Sequence, residues 1–105
     1  MDTKVRFRDI KPYYAPNSLA DLHGPYSGKI KLRHAVLWAP GDGIVDIDSE
    51  GGVRLAYQAL LAEGLVKDQV EGLNARRLKE EWPNMMLDRR VRQLWEGRFP
   101  ELSQQ

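Results

Sequence analysis

"GKIKLRHAVLWAPGDGIVDID", residues 28–48, decides the fold. Ile30, Leu32, His34, Val36 and Trp38 fall on one side of an extended chain; Lys29, Lys31, Arg33, Ala35 and Leu37 fall on the other. That period of two predicts a strand from 28 to 40. Its first half has one wet and one dry face. Its second half is apolar on both faces and reads as more deeply buried. "PGDG", residues 40–43, is a strong turn signal, and "IVDID" then returns as the partner strand. The unit is a hairpin over 29–48.

Outward from the hairpin, toward the start of the chain, Val5 and Phe7 alternate with Arg6 and Arg8. A further short strand is expected there, on either side of the hairpin. Between the two lies "KPYYAPNSLADLHGPYSG", residues 11–28, with Pro12, Pro16, Pro25, Gly24 and Gly28. Residues before proline are pushed out of the helical region, so the segment reads as irregular. "NSLADL" is long enough for one helical turn capped by Asn17 or Ser18. A loop of this length is unusual in a small domain. It is either pinned to the core by Tyr13, Tyr14, Leu19, Leu22 and Tyr26, or it is a recognition segment.

Beyond the hairpin the period changes to that of a helix. In "SEGGVRLAYQALLAEG", Val53, Ala56, Tyr57, Leu60 and Leu61 share a face, and Gly64 stands where a C-terminal cap belongs. "VKDQVEGLN" predicts a short helix ending near Gly72. Asn74 caps "ARRLKEEW", with Leu73 and Leu78 at the spacing of a hydrophobic staple. Pro83 stops that helix at about Trp82. A last helix is expected over Asp88–Gly97, with Leu87, Val91, Leu94 and Trp95 on one stripe and Phe99 and Leu102 folding back behind it. The expectation is therefore one α+β domain over residues 1–105: a small antiparallel sheet of the N-terminal strand plus hairpin 29–48, followed by three or four short helices. Residues 1–48 form the strand- and loop-rich half, 49–100 the helical half, and 101–105 a frayed tail.

Bulk properties narrow the chemistry. A chain of 105 residues buries a modest core. With no cysteine, thiolate catalysis and cysteine-based zinc sites are excluded, and two histidines cannot make a three-histidine site. "MDTKVRFRDI" lacks the apolar core of a signal peptide, and no apolar run approaches the roughly 20 residues of a membrane span. A cytoplasmic location is expected, without membrane contact. The net charge of +1 is unevenly spread. Residues 1–40 hold seven Lys/Arg against three Asp/Glu, residues 41–72 two against seven, and residues 73–105 seven against five.

The acids Asp46, Asp48 and Glu50 are the weak metal candidates. With Gly51 and Val53 they follow the first eight positions of a calcium-binding EF-hand loop. Position 12 falls on Tyr57, which cannot chelate, and a strand enters where a helix should. No metal and no cofactor are therefore expected. The acids read better as a strand end and a helix start: Asp48 or Ser49 as cap, Glu50 against the positive end of the helix dipole. His34 lies on the apolar face of its strand and reads as half-buried; His23 reads as a loop residue. No phosphate-binding loop or nucleophile elbow is present, so no catalytic residue is assigned.

Two kinds of partner remain. "VRFR", "KIKLR", "ARRLK" and "RRVR" are basic clusters, and residues 66–82 have the outline of a helix-turn-helix. Arg76, Arg77, Arg89 and Arg90, with Tyr13 and Tyr14 able to stack on bases, are the candidate binding residues, for nucleic acid or another partner. Against nucleic acid stand the low net charge and Glu80 and Glu81 on the would-be recognition helix. Arg76, Arg77, Arg89, Arg90 and Arg92 also read as solvated helix faces, partly paired with Glu80, Glu81 and Glu96; Arg92 and Glu96 are four apart, which suits such a pair. The reading is a small non-catalytic interaction or regulatory domain that binds another protein or a second copy of itself. The alternative is a nucleic-acid-binding regulator; a small enzyme or calcium-binding domain comes third.

Overall fold

The structure is a computed structural model that describes residues 11–37 and 42–104. The strand expected at Val5–Arg8, Trp38 and the first half of the "PGDG" turn lie outside the described residues. Within them the chain is α+β: a two-stranded antiparallel sheet, β1 (Lys29–Lys31) and β2 (Ile44–Asp46), precedes four helices. These are α1 (Glu50–Glu63), α2 (Val66–Gly72), α3 (Ala75–Glu81) and α4 (Arg89–Arg98). Short 3₁₀ turns follow Ser18, continue α3 and follow α4.

The hairpin forms where expected but is shorter. Lys29 stands opposite Asp46, Ile30 opposite Val45 and Lys31 opposite Ile44. Bonds from Leu32 N–H to the Gly43 carbonyl (3.0 Å) and from Ile47 N–H to the Gly28 carbonyl (2.9 Å) extend the ladder by one pair at each end. The strand does not run on toward residue 40. Val36 and Leu37 N–H both turn back onto the Arg33 carbonyl, so residues 33–37 coil into a turn. Alternation ends there: Val36 still reaches the core, but His34 is exposed rather than half-buried.

Local capping chemistry explains the helices. Ser49 Oγ accepts from Gly52 N–H at the start of α1, and Gly64 ends it by donating to the Leu60 carbonyl. Asn74 caps α3 by accepting from Arg77 N–H, with Leu73 and Leu78 both fully buried as a staple requires. Asp88 caps α4. Pro83 ends the α-helix at Glu81, and a 3₁₀ turn, Trp82–Asn84, carries the chain through it.

One core joins the two halves. Val53, Tyr57, Leu60 and Leu61 from α1 meet Ile47 after β2, Leu73 and Leu78 around α3, and Val91 and Trp95 from α4, all without exposed surface. Trp82 joins them at 2% exposure. Of the Met85–Met86 pair, Met85 fills core space, whereas Met86 is 85% exposed. The tail expected to fray at residue 101 instead forms a 3₁₀ turn, Pro100–Gln104, because Leu102 folds back and is buried.

The long loop is pinned, though less by its tyrosines than by its backbone. Leu19 and Leu22 are buried, Tyr13 is half-buried, and Tyr14 and Tyr26 are exposed. His23 N–H donates to the Val70 carbonyl (2.9 Å) and Gly24 N–H to the Leu73 carbonyl (2.8 Å). The contact is so close that a Cβ on Gly24 would lie 2.5 Å from the Gly72 backbone. Fully buried Gln69 completes the seam by donating its amide to the Tyr14 (2.9 Å) and Leu60 (3.1 Å) carbonyls.

Candidate functional site

The acids at 46–50 build a junction. Asp46 Oδ1 accepts from Asp48 N–H, and Asp48 Oδ1 accepts from Gly28 N–H, both at 2.9 Å. Ser49, not Asp48, is the helix cap, and Glu50 sits exposed in the first turn. Among the described residues no group of three or more Asp, Glu or His is placed to hold a metal ion. The paired glycines divide the labour. Gly51 has open space around it, whereas a Cβ on Gly52 would lie 1.9 Å from the Asp46 carbonyl oxygen.

The candidate arginines do not gather on one outward face. Arg77 is almost enclosed, with 12% of its side chain exposed. It donates to the Tyr26 carbonyl (2.8 Å) and the Ile47 carbonyl (2.9 Å), and pairs with Glu81 at 3.4 Å. Arg90 donates to the Lys11 carbonyl (2.9 Å) and lies 4.9 Å from the Tyr13 ring centre. Arg92, read from the sequence only as a partner for Glu96, and Arg98, not singled out, behave alike: Arg92 bonds the Met85 carbonyl at 2.8 Å and Arg98 the Ala15 carbonyl at 2.9 Å. Arg76 is exposed but spans Glu80 (3.4 Å) and the Tyr26 ring (4.9 Å). The Tyr26 hydroxyl donates a hydrogen bond to Glu80, which holds that phenol above its ordinary pKa. Arg89 and Tyr14 are exposed. Residues 66–82, the segment read as a helix-turn-helix outline, form α2, a two-residue link Leu73–Asn74, α3 and the first residue of the following 3₁₀ turn, and α3 spends Arg77 on the loop and hairpin behind it.

What the residue patterns missed is a cleft of about 480 Å³ between β1 and α2. Ile30, Leu32 and Gly72, almost wholly buried, form its floor, and Lys29, Lys31, Arg33 and Lys67 line it with cations beside the carboxylates of Asp68 and Glu71. Arg33 is held in a fork across the cleft, its Nε and Nη2 each 2.7 Å from an Asp68 carboxylate oxygen. That guanidinium, with help from Leu65 N–H, keeps the Asp68 carboxyl below its usual pKa. Lys29, Lys31 and Lys67 make no ion pair with a described residue.

The β-ladder register sets what the backbone presents there. Hydrogen-bonded pairs are Gly28 with Ile47, Ile30 with Val45 and Leu32 with Gly43. In an antiparallel ladder the alternate residues turn their N–H and C=O outward. Those residues are Lys29 and Lys31, and no described group of the protein bonds their outward backbone. The opposite edge of the sheet is different: the Asp46 carbonyl is covered by Ser49 Oγ and by Gly52 at the start of α1.

No protein-family model, curated protein or solved structure matches the chain. No helix among the described residues is long and apolar enough to cross a membrane.

Proposed function

We propose that this is a small non-catalytic interaction domain of the cytoplasm whose partner is another protein. The observation that carries the reading is the outer edge of β1, which no described group bonds, lying in a cleft lined by apolar residues, four cations and two carboxylates. Sheet edges and clefts of this kind are recurrent seats for protein segments. The inward-bonded arginines support the same reading. Arg77, Arg90, Arg92 and Arg98 each donate to a backbone carbonyl, which removes from α3 and α4 most of the cations a nucleic-acid regulator would use.

The test sets the two readings side by side. A labelled random DNA duplex and a labelled single strand, titrated at low salt, are expected to show no saturable binding. The immobilised domain is expected to retain a discrete protein that a Lys29→Glu/Lys31→Glu variant does not. Tight low-salt binding to DNA, falling steeply with salt, overturns the proposal in favour of the nucleic-acid alternative.

A further inference from the structure

We infer that the cleft accepts an extended acidic segment of a partner protein, which adds to β1 as a third strand; the inference rests on the interaction-domain reading above. Backbone, charge and shape each contribute an argument. Lys29 and Lys31 each turn one N–H donor and one C=O acceptor outward, in the spacing that an antiparallel neighbour uses. A three-residue strand on one partner alone is a marginal sheet, and a third strand completes its bonding.

Charge identifies the occupant. Residues of an added strand that bond to Lys29 and Lys31 place their side chains on the same face as those two lysines. β2 already shows which neighbour suits that face: Asp46 stands opposite Lys29. Lys67 adds a third cation from α2; Glu71 of the same helix offsets one of the three, and Arg33 already occupies Asp68, so the balance at the edge stays cationic. The residue between the acids points to the other face, over Ile30 and Gly72. The fitting segment therefore alternates Glu or Asp with an apolar residue. A second copy of this chain fits poorly, because two β1 edges paired about Ile30 set Lys29 directly against Lys31, and like charges in that position are destabilising. Exposed edge lysines guard against such self-pairing; the same charges here select an acidic guest.

The probe is a labelled seven-residue peptide alternating Glu and Val, compared with its Lys–Val counterpart. Two further versions carry N-methyl groups, one on the Glu amides and one on the Val amides. Anisotropy should show saturable binding of the Glu–Val peptide, at least about tenfold tighter than the Lys–Val peptide. The Lys29 and Lys31 amide resonances should shift and their hydrogen exchange should slow. Methylation of the Glu amides, which face β1, should abolish binding; methylation of the Val amides should leave it. Lys31→Pro removes an outward N–H but no hairpin bond, so it should keep the fold and lose the peptide. Equal binding of the Glu-methylated peptide, shifts mapping away from β1, or no saturable binding at millimolar peptide overturns the inference. If the domain still retains a discrete protein in that last case, strand addition falls and the interaction reading stands. If it retains none, both fall.

Discussion

Gly51 and Gly52 are adjacent, share a helical turn and have opposite requirements. At Gly51 a methyl group meets nothing, so Gly51→Ala removes only the entropy of a glycine in a helix and should stabilise by up to about 1 kcal/mol. At Gly52 the same methyl would drive into the Asp46 carbonyl oxygen, which belongs to backbone and cannot step aside. Gly52→Ala should cost about 1–3 kcal/mol, the range for forced overpacking. Urea unfolding of the two variants checks both signs; equal midpoints would mean that β2 and α1 do not meet as described. Arg77 is the other decisive single residue. Arg77→Ala leaves the Tyr26 and Ile47 carbonyls without their charged donor and should destabilise by about 2–3 kcal/mol, read from the same urea midpoints. Lysine at that position should recover only part, because one ammonium cannot fork between both carbonyls as a guanidinium does.

At the scale of elements, what could be read from the sequence was what neighbours in the chain decide. Gly64 and Asn74 were legible as caps, and Ser49 as one of two candidates with Asp48, because each acts on the backbone within a few residues of itself. The length of β1 was not, because the alternation from Ile30 to Trp38 describes a strand equally well when Val36 and Leu37 turn onto the Arg33 carbonyl. That turn also exposes His34 and carries Arg33 to Asp68, a residue 35 positions later. The arginines could be recognised as partly paired within their helices, since Glu80, Glu81 and Glu96 stand one turn on. Their bonds to the carbonyls of the 11–28 loop span most of the chain and leave no local mark. The cleft was illegible for the same reason: it is the space between β1 and α2, which only packing brings together. Leu102 was readable as a residue that folds back, although the tail around it was expected to fray. Leu102→Ala should cost about 2–4 kcal/mol by opening a cavity behind α4, measured by thermal or urea unfolding.

The whole molecule is held across its halves by charge as well as by core, and this gives it a pH signature. Asp68 has a depressed pKa in the folded chain because Arg33 bonds its carboxylate. A depressed acid contributes stability that is present above its unfolded pKa of about 3.9 and is lost as pH falls through the folded value. Wild type should therefore exceed Asp68→Asn in stability near neutral pH, and the gap should close below about pH 4. Urea midpoints of the pair across that range are the measurement. A gap that persists at pH 2 would assign the stabilisation to packing around residue 68 instead.

Arg98 reaches back to the Ala15 and Pro16 carbonyls, and Arg90 to that of Lys11. The consequence concerns birth order on the ribosome. Within this domain the 11–16 stretch is made before α4, so its bonds to Arg90 and Arg98 form only once α4 has left the exit tunnel, and loops closed over such distances form slowly. The bond from Gln69 to the Tyr14 carbonyl needs only α2. The loop is therefore placed in two stages, seated first by α2 and clasped last by the closing helix.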